Sequence, residues 1–169
     1  MTKRLCRMGL LTALALILFT VEAQIPAPIP VPGVKLGLSN IVTVYAMFAL
    51  GPRDTLLILL CRIFLGSLFS GQMMALLYSL SGGLLCYGSM LVLRRLLTRR
   101  QIWVCSVIGA CFHNLGQMAA AIWVAGTWQL VYYLPVLLVC GMLSGLFTGL
   151  AAQALHDRLQ RLPKNGSRS

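Results

Sequence analysis

Arg62, His113, Asn114 and Gln117 each lie inside an otherwise apolar stretch of this 169-residue chain. Ionisable groups are costly at membrane depth and usually face a bundle interior or a water-filled cavity. His113 and Gln117 are four residues apart, so on a helix they share a face, with Asn114 beside it. Together with Glu22, Lys35, Asn40 and Tyr78, these residues can hold a ligand through hydrogen bonds and charge. The same set has a structural use. Arg62 could pair with Glu22 or with backbone carbonyls, and His113 with Asn114 could bridge two helices. Tyr78, Trp128, Tyr132 and Tyr133 also suit an aromatic belt at a membrane interface.

Other chemistry is poorly provided for. No G-x-x-x-x-G-K-[ST] phosphate loop occurs, so the chain cannot drive ATP-dependent transport alone. No pair of aspartate-rich motifs is present to hold Mg²⁺ against a diphosphate, and no Ser-His-Asp set is apparent. Cys6, Cys61, Cys86, Cys105, Cys111 and Cys140 form no C-x-x-C pair and read as small packing residues. The expectation is a non-catalytic protein with no cofactor and no metal site.

The residues that position this set are overwhelmingly apolar. The chain is 59% hydrophobic and 10% charged, against about 25% charged in a typical soluble domain. Its mean hydropathy is strongly positive, so lipid is the solvent for most of its surface. The net charge of +11 would suggest nucleic acid in a soluble protein. Here the basic residues cluster between apolar runs, which points to topology and anionic lipid headgroups, with no nucleic acid.

The apolar runs predict an all-α, polytopic helical bundle of about six transmembrane helices. Spans are expected near residues 8–23, 34–50, 55–70, 73–93, 102–125 and 130–153. Each approaches the ~20 residues that cross the hydrocarbon. Residues 1–155 form a single domain, and 156–169 a basic cytoplasmic tail. The first run has two readings, a retained helix or a cleaved signal peptide ending near Val21-Glu22-Ala23. Asp54 is expected to N-cap the third helix. Between the first two spans, Pro26, Pro28, Pro30 and Pro32 alternate, which forbids helix and favours a stiff extended loop.

With both termini cytoplasmic, every Lys and Arg falls on the inner side except Lys35 and Arg62, as the positive-inside bias requires. Helical rise then puts His113 at ~16 Å and Gln117 at ~22 Å from the inner end of their helix. The polar side chains therefore gather from the midplane outward, beneath the proline loop. The expected site is an outward-facing pocket lined by them and lidded by that loop. Arg62 and Lys35 favour an anionic group, and the apolar walls admit an amphipathic ligand. Gly141, Gly145 and Gly149 form a row that allows close helix contact, within the chain or with a partner.

Several segments together resemble a known family. They are Pro30–Asp54, Leu60–Gly71, Tyr78–Gly83, His113–Gln117 and Tyr132–Pro135. They are similar to the Gx transporter family, also labelled heptaprenyl diphosphate synthase component I, over roughly Leu10–Ala154. The resemblance implies a multi-pass protein of the plasma (cell inner) membrane, similar to the S-components of energy-coupling factor transporters. It implies partners as well, a transmembrane coupling subunit and cytoplasmic ATPases, with Gly9 and Ala13 as the docking face on the first helix. The second label implies another role, as the membrane partner of a prenyl diphosphate synthase subunit.

Overall fold

The structure, a computed structural model, describes residues 2–24, 38–71, 73–98 and 101–161. The expected lid, with Pro26–Pro32 and Lys35, lies outside the described residues. Helix α1 spans Thr2–Gln24, α2 Asn40–Ala49, α3 Pro52–Ser70 and α4 Met73–Leu96. Helix α5 spans Ile102–Ala125, a 3-10 segment runs Trp128–Tyr133, and α6 spans Leu134–Arg161. All regular structure among the described residues is helical. Lipid enforces this, because a helix satisfies its own backbone groups.

The helix ends follow local chemistry. Gly51 adopts φ 107°, a conformation that side chains rarely tolerate, and Pro52 follows at the first helical position of α3. Proline suits that position because its missing N–H had no partner there. Asp54 therefore sits in the first turn and does not cap the helix. Its carboxylate instead receives Arg4 from the base of α1, Nε donating to Oδ2 at 2.8 Å and Nη2 to Oδ1. Gly126 closes α5 in the left-handed region at φ 63°, its N–H donating to Ile122 O at 2.9 Å.

The last span departs most from expectation. A turn and then a helix from residue 130 were expected, but residues 128–133 wind as 3-10. Pro135 sits in the first turn of α6, and its ring would clash with the carbonyl four residues back. The α-helix accordingly starts no earlier than Leu134. At its other end α6 passes 153 and runs to Arg161, two residues before Pro163. The expected tail thus begins as helix. His156 is buried there, edge-on to Tyr45 of α2 with ring centroids 6.3 Å apart.

The helices pack in a closed ring, α1–α3–α4–α5–α6–α2 and back to α1. Helix α2 also touches α3 and α5, which makes it a short plug in the bundle. Val42, Thr43, Val44, Ala46, Met47 and Phe48 of this ten-residue helix are all buried. One core cluster joins Val44 and Met47 to Cys86 and Met90 of α4, Ile102 and Cys105 of α5 and Ala152 of α6. The outer faces carry exposed Leu10, Phe69, Trp123 and Phe147. Four stretches, Thr2–Glu22, Leu76–Leu96, Ile102–Ala125 and Trp128–Leu159, are long and apolar enough to cross a membrane. Helix α3 is 19 residues long and carries Arg53, Asp54 and Arg62.

Glycines set the closest approaches. A Cβ on Gly116 would lie 2.6 Å from Ser81 O, and one on Gly82 2.8 Å from His113 O. Those two helices therefore meet backbone to backbone at that level. The row on α6 behaves likewise. A Cβ on Gly145 would lie 2.9 Å from Val107 Cα, and one on Gly149 2.7 Å from Trp103 Cα. The row faces α5, so its use is packing within the chain. Ser106 and Thr148 add a hydroxyl pair across the same contact at 3.1 Å.

Candidate ligand pocket

All six helices contribute to one cavity of about 70 Å³, room for roughly five water molecules. Helix α1 supplies Phe19 and Glu22 near its C-terminal end, and Ser39 and Asn40 stand where α2 begins. Helix α3 supplies Arg62 and Ile63, with Gly66 and Ser67 a turn later. Ser79 of α4 and Ser144 of α6 complete the wall beside His113, Asn114 and Gln117 of α5. Helical spacing accounts for the α5 set, since i, i+3 and i+4 positions share a face.

Of the residues expected at the site, the fold brings together Glu22, Asn40, Arg62, His113, Asn114 and Gln117. Tyr78 is not among the lining residues; its neighbour Ser79 is. Lys35 lies outside the described residues. Gly9 and Ala13 stand away from the pocket, both exposed on α1, and a Cβ on Gly9 would meet nothing within 4 Å.

The two charged residues of the pocket are both deeply buried, Glu22 and Arg62 each at 7% exposure. Glu22 lies within electrostatic reach of Arg62. Arg62 Nη1 donates to Ser39 Oγ, which ties α3 to the start of α2. Arg62 Nε, also buried, has no hydrogen-bond partner among the described residues. Asn114 is partly committed to structure, with Nδ2 donating to Leu137 O of α6 at 2.6 Å. The ring of Phe19 lies against Gly66, 3.3 Å from where a Cβ would be. That contact brings α1 close enough for Glu22 to reach the cavity.

Ser39, Ser79, Ser144 and Phe19 were not expected at the site. Ser39 was findable, being adjacent to Asn40 at the end of the proline stretch. Ser144 was legible only as a neighbour of the glycine row. Phe19 carried no signal, because one aromatic residue in an apolar run looks like any lipid-facing one.

A second, smaller cavity of about 10 Å³ shares Asn40, Ala110 and Ser144 with the first and extends toward Ser106 and Thr148. No group of three or more His, Cys, Asp or Glu residues arranged for a metal occurs among the described residues.

The family model described as "Heptaprenyl diphosphate synthase component I" matches residues 11–155. A solved structure titled "Structure and mechanism of the S component of a bacterial ECF transporter" aligns with a TM-score of 0.57. The identity is 19%, and the match covers 95% of this chain and 94% of that one. The likeness is one of fold. No curated protein sequence matches the chain. The ring of helices, the apolar outer faces and this shared fold make the chain a multi-pass membrane protein.

Proposed function

The chain belongs to the heptaprenyl diphosphate synthase component I family, and from its pocket and fold we propose that it is the substrate-binding membrane subunit of an energy-coupling factor type importer. It sits in the plasma membrane and captures a small ligand from the outer side. The carrying observation is a polar cavity, fed by every helix, with a deeply buried arginine on its wall. Buried ionisable groups in membrane proteins mark ligand and ion paths more often than they mark simple packing. A concave site with a few convergent polar groups is the usual form of a small-molecule pocket.

Capture needs an energy source, and no nucleotide-binding loop occurs in the sequence. Partners would supply it, a transmembrane coupling subunit and cytoplasmic ATPases. The exposed Gly9 and Ala13 face of α1 offers the close approach such a helix contact uses. The family description favours a second reading, a non-catalytic membrane partner of a prenyl diphosphate synthase. In that case the ring of helices would serve as an anchor and the pocket would have no ligand to hold.

Mass spectrometry of small molecules released from the denatured, purified protein tests the pocket. A species retained by the wild type and lost from Arg62→Ala supports capture. Identical release from both proteins would overturn it.

A further inference from the structure

Glu22 and Arg62 face the same cavity with opposite charge, and both are withdrawn from solvent. Their charges sum to zero. The helix ends there cancel as well. The C-terminal end of α1 and the N-terminal start of α2 both reach the pocket, and they carry partial charges of opposite sign. Among the described residues, the rest of the polar lining, His113 apart, consists of serines and side-chain amides, which carry no charge. A ligand with net charge would therefore add an uncompensated charge to a low-dielectric site, where burial of an unpaired ion is strongly unfavourable. The buried Nε of Arg62 has no hydrogen-bond partner among the described residues.

We propose that the pocket takes a small ligand of zero net charge, neutral or zwitterionic, whose carbonyl or carboxylate oxygen accepts from Arg62 Nε. This rests on the capture reading above. It narrows the ligand to a compact hydrogen-bonding molecule, consistent with a cavity of about 70 Å³. It also sets a diphosphate aside as the occupant. The several negative charges of a diphosphate would face one arginine already balanced by Glu22.

Four small probes test the idea on the purified full-length protein: propionamide, β-alanine, propionate and inorganic diphosphate. The readout is the rise in Tm that each probe causes, since a ligand of the folded state raises it by mass action. Propionamide or β-alanine is expected to raise the Tm of the wild type, and propionate and diphosphate to leave it unchanged. Glu22→Gln keeps the side chain's shape and removes its charge, so propionate should then stabilise. Arg62→Lys keeps the charge but removes the Nε donor, and the shift seen in the wild type should fall. If propionate or diphosphate stabilises the wild type most, the zero-charge assignment is overturned while the pocket remains a ligand site. If none of the probes acts on the wild type or on Glu22→Gln, the assignment is overturned too. The identity of co-purifying proteins decides the capture reading separately.

Discussion

A guanidinium inside a bilayer costs about 3 kcal/mol on insertion scales, so the chain must offer Arg62 compensation. It does so with Ser39 on one nitrogen and Glu22 across the same cavity. Nε is left over, and the ligand proposed here completes that set. Hydrogen bonds involving a charged group contribute about 1.5–3 kcal/mol. Arg62→Met should accordingly weaken binding of whatever the wild type retains by roughly ten- to a hundredfold, measured by titration in detergent. Asn114 has a different balance. Its amide holds Leu137 O at 2.6 Å, so Asn114→Ala should lower stability by about 1 kcal/mol, read as a fall in Tm without ligand. An unchanged Tm would mean the α5–α6 contact does not depend on this bond.

Between elements, the small residues separate into two kinds. Gly82, Gly116, Gly145 and Gly149 meet backbone atoms of a neighbouring helix, which cannot step aside. Gly145→Val should therefore cost about 3 kcal/mol or more, the upper end for overpacking, visible as reduced Tm and poor expression. Gly9 faces open space. Gly9→Val should leave Tm within experimental error, as exposed substitutions usually do, yet reduce recovery of a docking partner. Equal recovery from wild type and variant would remove Gly9 from the docking face. Arg4 and Asp54 join the base of α1 to α3. Asp54→Ala should speed amide hydrogen exchange at the start of α1 and leave exchange in α5 unchanged. Uniform exchange in both proteins would show that the pair does not hold α1.

Much of this level was legible in the sequence. The limits of α5 and the start of α4 follow directly from apolar runs ended by glycine or arginine. Helix α2 was harder, because ten residues cannot span the hydrocarbon and its character comes from burial on nearly all sides. The 3-10 segment was missed because the steric veto of Pro135 acts backward along the chain. The α5 face of the pocket was legible because helical spacing fixes it. Phe19, Ser79 and Ser144 were not, since which side of a helix faces the cavity depends on how the helices pack.

At the scale of the whole molecule, the closed ring explains why one cavity draws on all six helices and why the first helix matters. Helix α1 contributes Phe19 and Glu22, so a chain cleaved near Ala23 would lose that wall and half of the charge balance. The intact mass of protein extracted from membranes should therefore include the first helix. A mass lacking the first twenty-odd residues would leave Arg62 without its counter-charge.

The most direct measurement is purification from native membranes in mild detergent, with mass spectrometry of the accompanying proteins. The account predicts a transmembrane coupling protein together with two ATPase subunits, recovered in fixed proportion to this chain. Recovery of a prenyl diphosphate synthase subunit in their place would contradict it.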